Sequence, residues 1–422
     1  MLRSNKLDYR FVFFSSLEAL FWAMMAPSAY TVVFMQDQGF NNSQIGLGLA
    51  AINLASFMFL PVWGMVADKI GSRRKTLLIL YTGIAIFGTL TSILTGNVAL
   101  TILLMFSVII FRGSVSAITD SWLITEVNTP DLSGSRINYG PVRSAGSIGY
   151  ALATLIFYFL FTRLNVSTRF NWLISASLAV ACFILVSTYK ETQSDRKAVP
   201  VSRKLSLKEL KPGRLLKNYY FVTFFFIYML INIPGYIGTS YIPQLLKDMG
   251  MNAVFVGVLG AIRALCEVPL LFLSTKIIKE LGYVKTLFII GTVLGIEQLS
   301  YILADHLIEV IIFQIVHGSI NGLLLGAAAG YLFSLVPPEL VSTSQTFCSA
   351  SCSAISIVGS LISGPLIDTF GVRSIYVVTV SSMVIAIVMF ALTLYIGKVR
   401  KIEHYDASKD EVSKEIMQKL YS

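Results

Sequence analysis

The chain reads as a succession of long apolar runs separated by short polar or basic stretches. A helix that crosses a bilayer needs ~20 mainly apolar residues. Twelve runs reach that length, at roughly 10–35, 43–67, 76–95, 99–125, 139–161, 170–189, 218–246, 253–275, 286–304, 308–335, 342–367 and 374–397. The runs are unbroken, unlike the alternating strands of a membrane barrel. Most connections are short. The exception, 190–217, is polar and basic and divides the runs six and six. The pattern predicts an all-α membrane protein: an N-terminal six-helix half (1–189), a basic linker (190–217), a second half (218–397) and a tail (398–422).

Composition narrows the function classes. Hydrophobic residues make up 55% of the 422 positions and charged residues 13%, with a mean hydropathy of +0.72. A soluble chain carries about twice that charged fraction, so a soluble enzyme, a disordered chain and a disulfide scaffold are excluded. The four cysteines, Cys182, Cys266, Cys348 and Cys352, sit in apolar runs, and no metal-ligand spacing appears. There is no Gly-x-x-x-x-Gly-Lys-Ser/Thr loop for ATP and no catalytic triad, so no enzyme activity is expected. The first apolar run is too long for the core of a cleaved signal peptide.

The net charge of +10 is a topology signal. Of 33 Lys and Arg, 26 fall in the alternate connections that include both termini, and four (Arg163, Arg169, Lys247, Arg373) in the others. Basic residues stay on the cytoplasmic side, so both termini are expected there, facing anionic lipid rather than nucleic acid. The remaining three, Arg112, Arg143 and Arg263, lie inside runs.

Internal repetition supports the halving. Residues 61–79 and 269–289 both run from a proline through apolar helix to a glycine and then Lys-Thr-Leu. Gly64-x-x-x-Asp68-x-x-Gly71 is echoed by Gly364-x-x-x-Asp368-x-x-Gly371 on the opposite expected membrane side, the pattern of inverted repeats nested in parallel halves.

Gly64, Asp68, Gly71, Arg73 and Arg74 resemble the loop motif between helices two and three of the major facilitator superfamily. The resemblance implies that these residues latch the outward-facing state. Locally, Asp68 is expected to cap a helix and pair with the arginines. In the fifth run, Tyr139-Gly-Pro-Val-Arg143-Ser-Ala-Gly146-Ser-Ile-Gly149-Tyr150 resembles the signature of the lactose-permease-like group of sugar–proton symporters and their nucleoside-transporting relatives. In that group an arginine on this helix pairs with a carboxylate on helix four and holds sugar hydroxyls. Arg143 falls on the arginine, Asp120 near the carboxylate, and Tyr150 on a sugar-stacking aromatic. His317, in Gln314-Ile-Val-His317, falls on the group's histidine. Gln314 and Ile320 stand where the signature has a lysine and the proton-carrying glutamate, so that proton site does not carry over.

Charges within a bilayer cost ~3 kcal/mol or more each, which makes them functional candidates. The acids are Glu18, Asp120, Glu267 and Glu297. Asp120 and Arg143 are expected to pair and bind substrate hydroxyls. Arg112, eight residues before Asp120, shares its helix and can face inward with it. Arg263 and Glu267, four apart, are expected to pair along one helix face. Glu18 has no local basic partner and is a proton-coupling candidate, with Glu267 and Glu297. Gln314, His317 and Asn321 form a polar stripe, with His317 and Asn321 as candidate substrate contacts. Trp22 and Trp122 read as packing residues, each also able to stack on a sugar.

The expected activity is proton-coupled import of a polar metabolite, a sugar or oligosaccharide first and a nucleoside second, by alternating access. The protein is expected to act as a monomer in the cell membrane, without nucleic acid or a cofactor, and with the proton gradient as its energy source. The alternative is a proton-driven drug efflux antiporter. Against it, Gly140-Pro141 comes early in its helix, whereas such antiporters carry a glycine-proline motif late in helix five.

Overall fold

The computed structural model describes residues 9–128, 139–189, 213–403, 405 and 410. Most of the 190–217 linker, most of the 398–422 tail, part of the 126–138 connection and the first eight residues lie outside the described residues. The described α-helices are α1 Tyr9–Met25, α2 Thr31–Asp37, α3 Asn42–Ile70, α4 Arg73–Ile93, α5 Val98–Arg112, α6 Val115–Asn128, α7 Tyr139–Thr162 and α8 Asn171–Thr188. They continue as α9 Gly213–Lys217, α10 Tyr219–Tyr236, α11 Ile242–Asp248, α12 Val256–Leu281, α13 Tyr283–Leu303, α14 Leu307–Leu335, α15 Val341–Phe370 and α16 Arg373–Val399. Among the described residues, twelve helical stretches are long and apolar enough to cross a membrane, as the sequence predicts. The fourth is not one helix: α5 ends at Arg112 and α6 restarts at Val115.

Local chemistry sets the turns. Asn41 caps α3 in a capping box with Gln44, and Ser72 caps α4 by accepting from the Lys75 amide at 3.2 Å. Asp68, expected in that capping role, lies a turn upstream, inside α3. The α3–α4, α12–α13 and α15–α16 turns are made by Gly71, Gly282 and Gly371, with φ of +66°, +78° and +77°. The left-handed conformation costs a residue with a Cβ, so glycine ends each helix and a new one starts within two residues.

Two of the four basic residues expected outside are anchors. Arg169 donates to the carbonyls of Ser92 and Ile93 at the end of α4. Arg373 does the same for Ile302 and Ala304 at the end of α13. Each guanidinium neutralises the carbonyls a helix C-terminus leaves unpaired. The third and sixth spans are tied in the same way as the ninth and twelfth.

Apolar residues cover both sides of the helices. On α16, Met383, Ala386 and Phe390 are buried, whereas Val384, Val388, Leu392 and Tyr395 are exposed. A helix apolar all round suits a surface in contact with lipid.

The chain forms two compact units. The first is built from α1–α8 and also takes in Ile242–Leu265 and Ser360–Pro365. Its core holds Phe14, Leu17, Phe21, Tyr81 and Trp172. The second has its own core, with Phe224, Tyr331 and Phe390 in edge-to-face contact. In the first unit α1 and α7 cross closely at Gly149, where a Cβ would stand 2.3 Å from the Ala19 carbonyl oxygen. Overpacking costs ~1–3 kcal/mol. Gly149→Val is therefore expected to lower the melting temperature of the detergent-solubilised protein by several degrees. An unchanged melting curve would show that the crossing has slack.

Candidate functional site

Two buried polar clusters stand out, one in each unit. In the first, Glu18 and Trp22 are four apart on α1 and share a face. The Trp22 indole Nε1 donates to Glu18 Oε2 at 3.1 Å. Arg143, near the start of α7, lies with its guanidinium 4.4 Å from the Trp22 ring centroid. Its Nη1 is 4.0 Å from Glu18 Oε2. The side chain of Glu18 is 2% exposed and that of Arg143 28%. Gly146 gives this group its seat: a Cβ there would come within 2.4 Å of Trp22 Cδ1 and 3.0 Å of Arg143 Nη1.

The ion pair of Arg143 thus runs to Glu18 on the first span, not to Asp120 as expected, and Glu18 does have a basic partner. It comes from a helix 125 positions along the chain, beyond the reach of local spacing. Asp120 is half-buried on α6, where its Oδ2 accepts from Ser116 Oγ at 3.3 Å, and its charge bears on Glu18. The guanidinium therefore stands beside the Glu18 carboxylate without a short bond to it. An arginine so held can take a hydroxyl-bearing molecule on its free N–H groups.

The second cluster joins α13 to α14. His317 Nδ1 lies 3.1 Å from Glu297 Oε2 and 3.2 Å from Oε1, and both side chains are buried. Three residues before His317, Gln314 Nε2 donates to the Tyr301 hydroxyl at 2.8 Å. The Tyr301 ring packs against Tyr376 at 5.0 Å, and the Tyr376 hydroxyl donates to the Gly238 carbonyl at 3.3 Å. An imidazole and a carboxylate in contact can share one proton. The stripe on α14 was visible in the sequence. Its partner, Glu297 and Tyr301 four apart on α13, was the missed signal.

The other candidates are dispersed. Arg112 is 5% exposed and faces the Trp172 ring at 5.4 Å, with its Nη1 lacking a hydrogen bond. It joins no ion pair among the described residues, because α5 ends beneath it and directs it at α8 rather than at Asp120. Arg263 and Glu267, expected to pair, make no ion pair among the described residues. Such a contact is worth only ~0.2–0.5 kcal/mol and must hold two long side chains still. The backbone of Glu267 instead packs on Gly322. Asn321 is half-buried. Tyr150 turns its hydroxyl toward Gly260, 3.4 Å from where a Cβ would be. Trp122 is 2% exposed and packs edge-on to Phe14 and Tyr189.

In the loop motif, Arg73 Nε donates to Ser121 Oγ at 3.0 Å, and Arg74 donates to the carbonyls of Val186 and Ser187. Neither arginine is paired with Asp68 in this structure, because both reach carbonyl and hydroxyl acceptors on α6 and α8. Gly64 and Asp68 line a cavity beside them. Among the described residues no group of His, Cys, Asp and Glu is placed to hold a metal ion.

The model of the MFS_1 like family matches residues 7–378. Among relatives, the uncharacterized transporter YwbF of Bacillus subtilis (strain 168) is 24% identical, over 87% of this chain and 88% of its own. The maltose permease of Geobacillus stearothermophilus is 23% identical, over 85% and 87%. Among solved structures, the nucleoside transporter NupG superposes with a TM-score of 0.75 at 13% identity, covering 92% of this chain and 99% of that one.

Proposed function

The chain belongs to the MFS_1 like family of membrane transporters, and from that premise we propose that it is a proton-coupled symporter of a neutral polar metabolite. A sugar or oligosaccharide is the first choice and a nucleoside the second. It is a multi-pass transporter of small molecules, not an enzyme. The observation that carries the finer reading is the division of buried charge into two clusters of different chemistry.

Arg143, with Glu18, Asp120 and Trp22, offers donors, acceptors and an aromatic face, which is what a polyhydroxylated molecule needs. The buried Glu297–His317 pair is suited to hold the coupled proton. A proton taken up there lowers the charge that must be reoriented, so substrate and proton move together through alternating exposure of the site. The count of basic residues supports cytoplasmic termini. The residues of the 64–74 motif serve as the latch of this cycle.

The test is uptake by the purified protein in liposomes, using labelled maltose, lactose, D-xylose and uridine. With an acidic exterior at least one probe is expected to accumulate above its external concentration, and a protonophore should abolish the excess. Accumulation that a protonophore leaves intact would refute proton coupling.

A further inference from the structure

We infer that Ser121 is a positioning residue, which links the start of α4 to Asp120 through the short helix α6. This rests on Asp120 belonging to the substrate cluster, as proposed above. Three observations carry it.

The first is the break in the fourth span. Between α5 and α6, Gly113 is pressed against α3, with Ser56 Oγ 3.0 Å from the position of a Cβ. The chain is pinned at this point, and α6 leaves it as a separate helix. The second is a void along α6. A cavity of about 250 Å³ lies between Leu60, Gly64 and Asp68 of α3 and Ala117, Ser121 and Trp122 of α6. Close-packed helices transmit strain but do not shift, whereas a helix with a void on one face has somewhere to go. The third is the tie itself. Arg73, the first residue of α4, donates its Nε to Ser121 Oγ at 3.0 Å, and both residues line this cavity.

Asp120 is the neighbour of Ser121 on the same short helix, and its charge bears on Glu18. A helix moves as a rigid element. Whatever draws Arg73 toward or away from α6 therefore also sets where Asp120 stands relative to Glu18. The coupling is reciprocal: occupancy of the cluster that shifts Asp120 must equally change the strength of the Arg73–Ser121 tie.

The test uses the full chain in lipid nanodiscs with Ala117→Cys as reporter, an exposed position lining the cavity. Its labelling by N-ethylmaleimide is followed by mass spectrometry. Ser121→Ala and Arg73→Gln are each expected to change the labelling rate by about fivefold or more in the same direction, the lower range of such linkages. Ser121→Thr, which keeps the hydroxyl, should restore the original rate. Asp120→Asn should change the rate comparably, and Ser121→Ala with Asp120→Asn should fall short of the product of the two. Rates within twofold of the parent for Ser121→Ala and Asp120→Asn, or effects that simply multiply, overturn the linkage. The labelling needs no substrate, so its outcome is separate from that of the transport reading: Arg143→Lys with undiminished transport would undo the substrate cluster while leaving the labelling result to stand.

Discussion

Arg143→Lys is expected to reduce probe uptake by about a hundredfold or more, while the protein still reaches the membrane and melts within a few degrees of the parent. Lysine keeps the charge, so Glu18 is not left buried without a cation, a loss that would cost ~3–5 kcal/mol and confuse binding with folding. What lysine cannot keep is the planar fork. The guanidinium lies against the Trp22 ring at 4.4 Å with its Nη1 4.0 Å from Glu18. It can hold both neighbours and still present further N–H groups. An ammonium is a point charge that must choose between them. The cation–π contact alone is worth ~0.5–2 kcal/mol, and each lost hydrogen bond to a charged group ~1.5–3 kcal/mol. Together they reach the ~2.7 kcal/mol of a hundredfold loss. Uptake by Arg143→Lys within threefold of the parent would remove this cluster from the substrate site.

The second large effect is expected at Glu297. Glu297→Gln should abolish accumulation driven by a proton gradient, yet leave exchange of labelled for unlabelled probe within about threefold of the parent. Exchange needs the loaded carrier to reorient but no net movement of protons. Glutamine keeps the shape and an acceptor for His317 Nδ1 at the observed 3.1 Å but cannot take up the proton. His317→Gln should behave alike, because the proton belongs to the pair. Counterflow assays on proteoliposomes check both. Accumulation preserved in Glu297→Gln would move the coupling step elsewhere, with Glu18 next in line.

The fold was largely legible because the bilayer demands long apolar runs, and these are written plainly in the sequence. The break at Gly113–Ser114 was not, since a span interrupted by two small residues keeps its apolar character. Charges inside the spans were found for the same reason that spans were: each is rare against its background. Their partners were harder. Arg143 was matched to Asp120 on the neighbouring span by resemblance, yet its ion pair is with Glu18 on the first. Only the close crossing of α1 and α7 at Gly146 and Gly149 brings those two together. Spacing along one helix predicted a pair at Arg263 and Glu267 that does not form. It did not predict Glu297 with His317, which depends on two helices meeting face to face. The bases expected on the outside had a use that charge counting cannot show: Arg169 and Arg373 each tie down a helix end.

Proton-coupled symport requires substrate and proton to travel together and in the same direction. A pH-sensitive dye sealed inside proteoliposomes, with equal pH on both sides, reads this. Adding whichever probe is transported should acidify the interior, and the signal should vanish in Glu297→Gln. Transport without a pH change, or with alkalinisation of the interior, would rule out symport.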